Sequence, residues 1–73
     1  MPIYRVESGD FQVSIHRRSA RRAAADAIGL LKRTEDDVRL GMMTGVHMDD
    51  GEILYLSTIV LMNENGIKFR IEH

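Results

Sequence analysis

Apolar residues at Ala20, Ala23, Ala24, Ala27, Ile28 and Leu31 recur at the spacing of one face of an α-helix, with Arg21, Arg22, Lys32 and Arg33 mostly off that face. The pattern predicts an amphipathic helix over residues 19–33, with the Ser19 hydroxyl capping its first turn. Four of the six stripe residues are alanine, so the helix backbone lies close against its cover. The alternating segments around it make a β-sheet that cover. Gly29 weakens the helix by roughly 1 kcal/mol relative to alanine and therefore marks a close contact.

Residues 2–7 read as a first strand, with Tyr4 and Val6 on one face, followed by a turn at residues 7–10. Phe11, Val13 and Ile15 alternate with Gln12, Ser14 and His16, a second strand hairpinned to the first. After a polar connection at residues 34–37, alternation over residues 38–46 predicts a third strand. Gly41 and Gly45 there indicate a twist, a bulge or a close backbone approach. Asp49, Asp50 and Gly51 turn the chain into a fourth strand from Ile53.

Residues 57–66 admit two readings. As a strand they would be apolar on both faces, more than one helix can cover. As a short helix over residues 58–65, Ser57 caps the start, Gly66 follows the end and Ile67 supplies the usual hydrophobic contact beyond the stop. The helix is preferred on those caps, and it makes the layout ββα followed by ββα, without a residue-level repeat between the halves. Ile67, Phe69 and Ile71 then alternate into a last edge strand.

The expected fold is a single α+β domain over residues 1–73. A small antiparallel sheet of four or five strands carries the main helix on one face and a short second helix, in ββαββα-β order. The expected core is Val6, Phe11, Val13, Ile15, Ala24, Ala27, Ile28, Leu31, Val38, Leu40, Met42, Leu54, Leu56 and Ile59.

Composition adds constraints. A chain of 73 residues buries only about 60–65% of the surface its unfolded form exposes, which leaves little surplus stability. There is no cysteine to add a disulfide, which fits a reducing, cytoplasmic setting, and association with another copy is the remaining source of support. The longest apolar run, residues 53–62, is far short of the ~20 residues of a membrane span. Charge is uneven. Residues 1–34 carry seven Lys/Arg against three carboxylates (+4), and residues 35–73 carry three against eight (−5).

Arg17, Arg18, Arg21 and Arg22 gather at the start of the main helix, where free N–H groups already favour anions. Arg21 and Arg22 there oppose the helix dipole, so something negative is expected beside them: phosphates of a nucleic acid, or carboxylates such as Asp36, Asp37 or those of a second subunit. Arg22 and Asp26 are four apart and suited to pair, worth ~0.3 kcal/mol. His47, Asp49, Asp50 and Glu52 are weak candidates for a divalent ion, but the spacing matches no metal loop and a solvated turn explains them. No metal, catalytic or cofactor motif is identified.

Met1-Pro2 followed by a strand resembles the opening of the tautomerase superfamily, in which a freed N-terminal proline is the general base. That resemblance implies an enzyme centred on Pro2. It is set against the extra strand at Phe11 to Ile15, and with Met1 in place the Pro2 nitrogen is an amide without a basic lone pair. The β-β-α opening with an Ala-rich helix is similar in layout to HicB-type antitoxins, which bind a toxin and often DNA. No family follows from either. The sequence is read as a non-enzymatic interaction module that self-associates or binds a protein partner. The alternative is a nucleic-acid-binding accessory protein using the arginine run.

Overall fold

The computed structural model describes residues 2–33 and 39–67. Strand β1 (Ile3–Ser8) and strand β2 (Phe11–His16) form the expected hairpin, and helix α1 (Ala20–Gly29) follows, continued by a 3₁₀ turn at Leu30–Arg33. Strand β3 (Met43–His47), strand β4 (Ile53–Ser57) and helix α2 (Thr58–Glu64) complete the described chain. The sheet is antiparallel throughout, in the order β2-β1-β3-β4. The last strand expected after Ile67 lies outside the described residues.

Ser19 caps α1 as expected, its Oγ accepting the Arg22 N–H at 3.2 Å. The alanine stripe is what lets α1 sit on the sheet. Ala23, Ala24, Ala27 and Ile28 are fully buried against Val6 of β1 and Val46 of β3, which face each other at the sheet centre. On this face a row of side chains, Val13, Val6, Val46 and Leu54, runs across all four strands.

Helix α2 packs on the same side of the sheet and beside α1. Its buried residues are Thr58, Leu61 and Met62, the i, i+3, i+4 set of a helix. Residue 29 is glycine because a Cβ there would fall 2.7 Å from Asn65 Oδ1. Asn65 in turn donates from Nδ2 to the carbonyls of Ala25 (2.8 Å) and Leu61 (2.9 Å), joining the two helices.

Two expected boundaries need correction. The main helix leaves α geometry after Gly29 and tightens into a 3₁₀ turn, a common ending that uses i→i+3 bonds for the last amides. The third strand begins at Met43, because the preceding residues are held by the β1–β2 turn. Asp10 N–H donates to Arg39 O at 2.9 Å, and Ser8 Oγ accepts from Gly41 N–H at 3.1 Å. Gly41 is thus a point of close backbone approach, whereas Gly45 is covered by the side chains of Ile53 and Tyr55 on the neighbouring strand.

The core also differs from expectation. Val6, Ile15, Ala24, Ala27 and Ile28 are buried, and Phe11, Val13, Leu31, Leu40 and Leu56 pack partly buried against them. Met42, Leu54 and Ile59 are exposed, and Val46, Leu61 and Met62 take the interior. Met42 lies before the strand, Leu54 lies on an edge strand, and Ile59 points away from the helix's buried stripe. Val38 lies outside the described residues.

Three hydroxyls are buried with this core. Thr44 Oγ1 and Thr58 Oγ1 are 2.8 Å apart, and Ser8 Oγ is 3.3 Å from Thr58 Oγ1 and also donates to the carbonyls of Gly41 and Met43. Among the described residues no buried side-chain polar atom lacks a partner, so this network ties β1, β3 and α2 together without an orphaned group.

Candidate functional site

Three of the four arginines of the basic run are engaged by carboxylates of the same chain. Arg17 Nε lies 2.6 Å from Asp26 Oδ2, and its Nη1 donates to the His16 carbonyl at 2.5 Å. Arg22 Nε approaches the same Asp26 oxygen at 3.3 Å, the expected i,i+4 pair. Arg21 reaches across to α2 and grips Glu64 with both terminal nitrogens. Among the described residues Arg18 makes no ion pair. The negative charge expected beside the misplaced arginines is supplied by Asp26 and Glu64. Asp36 and Asp37 lie outside the described residues.

Spacing alone points to Arg22–Asp26 and not to Arg21–Glu64, which are 43 residues apart and meet only because α2 lies against α1. The Arg21 guanidinium beside Glu64 holds that carboxyl below the usual carboxylate range through its hydrogen bond, and Glu64 raises Arg21 in return.

On the open face of the sheet, strand register assembles a cluster that local sequence does not reveal. Arg5 stands opposite His47, and Glu7 stands opposite Gly45. Glu7 is acceptor-only when ionised, so His47 Nε2 carries the proton and donates to Glu7 Oε1 at 2.9 Å. Arg5 Nη2 lies 3.1 Å from Nδ1 and 3.4 Å from Nε2 of the same ring, near both nitrogens at once and therefore over the ring face, where guanidinium groups stack. The hydrogen bond from His47 holds the Glu7 carboxyl below its ordinary range against the opposing effect of burial.

The described contacts of the His47 side chain are thus with Glu7 and Arg5, not with Asp49, Asp50 or Glu52 of the acidic turn. There Asp50 Oδ1 accepts the Glu52 N–H at 3.0 Å, a local turn contact. Among the described residues no three His, Cys, Asp or Glu side chains gather to hold a metal ion. Pro2 precedes β1, and its carbonyl accepts the Arg17 N–H at 3.3 Å, extending the hairpin.

Both depressed carboxylates make stability depend on acid. A group whose pKa is lower in the folded chain stabilises it above the unfolded value and loses that contribution as pH falls through the folded value. The denaturation midpoint is therefore expected to be flat near neutrality and to decline as pH drops below about 4.3, the ordinary Glu value. Glu64→Gln should flatten part of that decline. An unchanged pH profile in Glu64→Gln would mean that the Arg21 pair contributes nothing, as exposed pairs often do.

A further exposed feature is apolar. Among the described residues strand β4 is a sheet edge, and Ile53, Leu54 and Tyr55 are exposed along it, Tyr55 at 60%. Met43 on β3 (49%), paired with Ser57 of β4, and Ile59 and Val60 (47%) in the first turn of α2 are exposed as well. The strand is five residues long, with no proline, lysine or other charge within it, so it lacks the devices that commonly protect an edge from pairing.

No family model matches the chain, and no curated protein or solved structure does either.

Proposed function

We propose that this protein is a non-enzymatic interaction module that self-associates through the shoulder formed by β4 and the first turn of α2. The observation that carries this reading is the unprotected β4 edge with apolar side chains exposed on both of its faces. Contiguous apolar surface rimmed by polar residues is a usual mark of an association site, and a domain this small gains proportionately from covering it. The arginine run supports nucleic-acid binding less well, since Arg17, Arg21 and Arg22 already face Asp26 and Glu64.

Sedimentation across a concentration series up to about 1 mM tests the reading. The expected result is reversible dimerisation with weak salt dependence, because apolar burial is not screened. A monomer throughout would reject it. Titration with single- and double-stranded DNA and RNA serves as the contrast. Binding that falls steeply with salt, and that is lost when Arg17, Arg18, Arg21 and Arg22 are changed to Gln, would move the function to nucleic acid.

A further inference from the structure

The β3–β4 ladder settles which backbone groups of β4 are free. Met48 N–H donates to Glu52 O at 2.9 Å, and Thr58 N–H donates to Met42 O at 3.1 Å. These two pairs bracket the ladder, and hydrogen-bonded pairs alternate with non-bonded ones in an antiparallel sheet. The bonded pairs between them are therefore Val46 with Leu54 and Thr44 with Leu56. Leu54 and Leu56 point their amides inward to β3, while Ile53, Tyr55 and Ser57 point theirs to the open edge. The Ser57 carbonyl is turned into α2, which it begins.

That pattern is self-complementary about Tyr55. We propose, building on the self-association reading, that two copies pair antiparallel along β4 with Tyr55 opposite Tyr55 of the second copy, joining the two sheets into one of eight strands. The two Tyr55 residues exchange both backbone hydrogen bonds, and each Ser57 N–H donates to the Ile53 carbonyl of the other copy, giving four bonds. On the helix side Leu54 meets Leu56 of the other copy, and on the open face the two tyrosines meet.

The arrangement is isologous, so it consumes both β4 edges and closes at two copies. The outer edges are then the β2 strands, whose exposed residues are Gln12, Ser14 and His16. At ordinary side-chain areas, the exposed parts of Ile53, Leu54, Tyr55, Ile59 and Val60 come to roughly 400 Å² per copy. Full cover of these in a pair gives about 800 Å², the scale of a weak, reversible dimer.

Proline at residue 55 is the sharpest variant, because it removes an N–H that faces the open edge and none that bonds to β3. Tyr55→Pro is expected to keep the far-ultraviolet circular dichroism of the parent and to sediment as a monomer. Tyr55→Cys, the sole thiol in its chain, should oxidise readily to a disulfide-linked dimer, since Cα atoms of a bonded antiparallel pair lie ~5.5 Å apart.

The unmodified protein supplies a reading independent of any variant. At a total concentration a hundred times its dimer dissociation constant, where about 7% of the chains remain monomeric, exchange of the Tyr55 amide should be slowed about fifteenfold relative to dilute protein. A dimer in which the Tyr55 amide exchanges freely and Tyr55→Cys does not cross-link would overturn the edge pairing and leave self-association standing. A chain that stays monomeric would overturn both.

Discussion

Leu61→Ala is expected to cost about 2–5 kcal/mol, the range for removing a buried leucine side chain. Leu61 is 1% exposed and belongs to the same cluster as Ile28, Val6 and Val46. A domain of this length holds on the order of 4–11 kcal/mol in total, so one truncation removes a large share. In thermal unfolding the midpoint should fall by roughly 13–33 °C. The contrast is Ile59→Ala, two residues away and 37% exposed, which should cost under about 1 kcal/mol. The pair also tests the helix itself, because in a strand residues 59 and 61 share one face and would be lost at similar cost. Equal effects at the two positions would contradict α2.

The same periodicity explains which parts of the fold were legible. Residues 20–31 could be read because six apolar positions agree on one helical face and a serine precedes them. Residues 58–64 offered fewer positions, and their core residues emerge only from the phase that the Ser57 cap sets, which selects 58, 61 and 62 over 59. The third strand was over-extended for a non-local reason. Alternation from Val38 is real, but Ser8 and Asp10, some thirty residues earlier, bind the backbone of Arg39 and Gly41 before any strand can. Local pattern records what a segment can do, and tertiary contacts decide whether it does so.

The candidate sites divide along the same line. The arginine run is local and was visible, as was the need for opposing charge. That Glu64 supplies part of it depends on how α2 lies on α1. The Arg5, His47 and Glu7 cluster, and the choice of β4 as an edge, both follow from strand order β2-β1-β3-β4, which alternation alone does not encode. A chain in which β4 had been central would have had use for apolar residues on both faces. At an edge the same composition leaves Ile53 and Tyr55 facing solvent.

Gly9→Ala should be the most damaging substitution outside the core, at about 3 kcal/mol, because two costs coincide. Gly9 has φ +57, in the left-handed region, and a Cβ built there would lie 2.3 Å from Arg39 O and 2.8 Å from Gly41 N. Both obstacles are backbone, so no side chain can swing aside. The segment would have to lift off, taking with it the Asp10 N–H to Arg39 O bond and the contacts of the buried Ser8 hydroxyl. Gly51 isolates the first cost, since its φ is +87 but nothing lies within 4 Å of a Cβ there. Gly51→Ala is accordingly expected to cost only roughly 1–2 kcal/mol. Asparagine, which tolerates left-handed φ, completes the comparison. Gly51→Asn should be nearly neutral in chemical denaturation, while Gly9→Asn should be almost as harmful as Gly9→Ala, because the contact with Arg39 O remains. A mild Gly9→Asn would show that conformation alone, and not the close approach of residues 39–41, requires glycine at this turn.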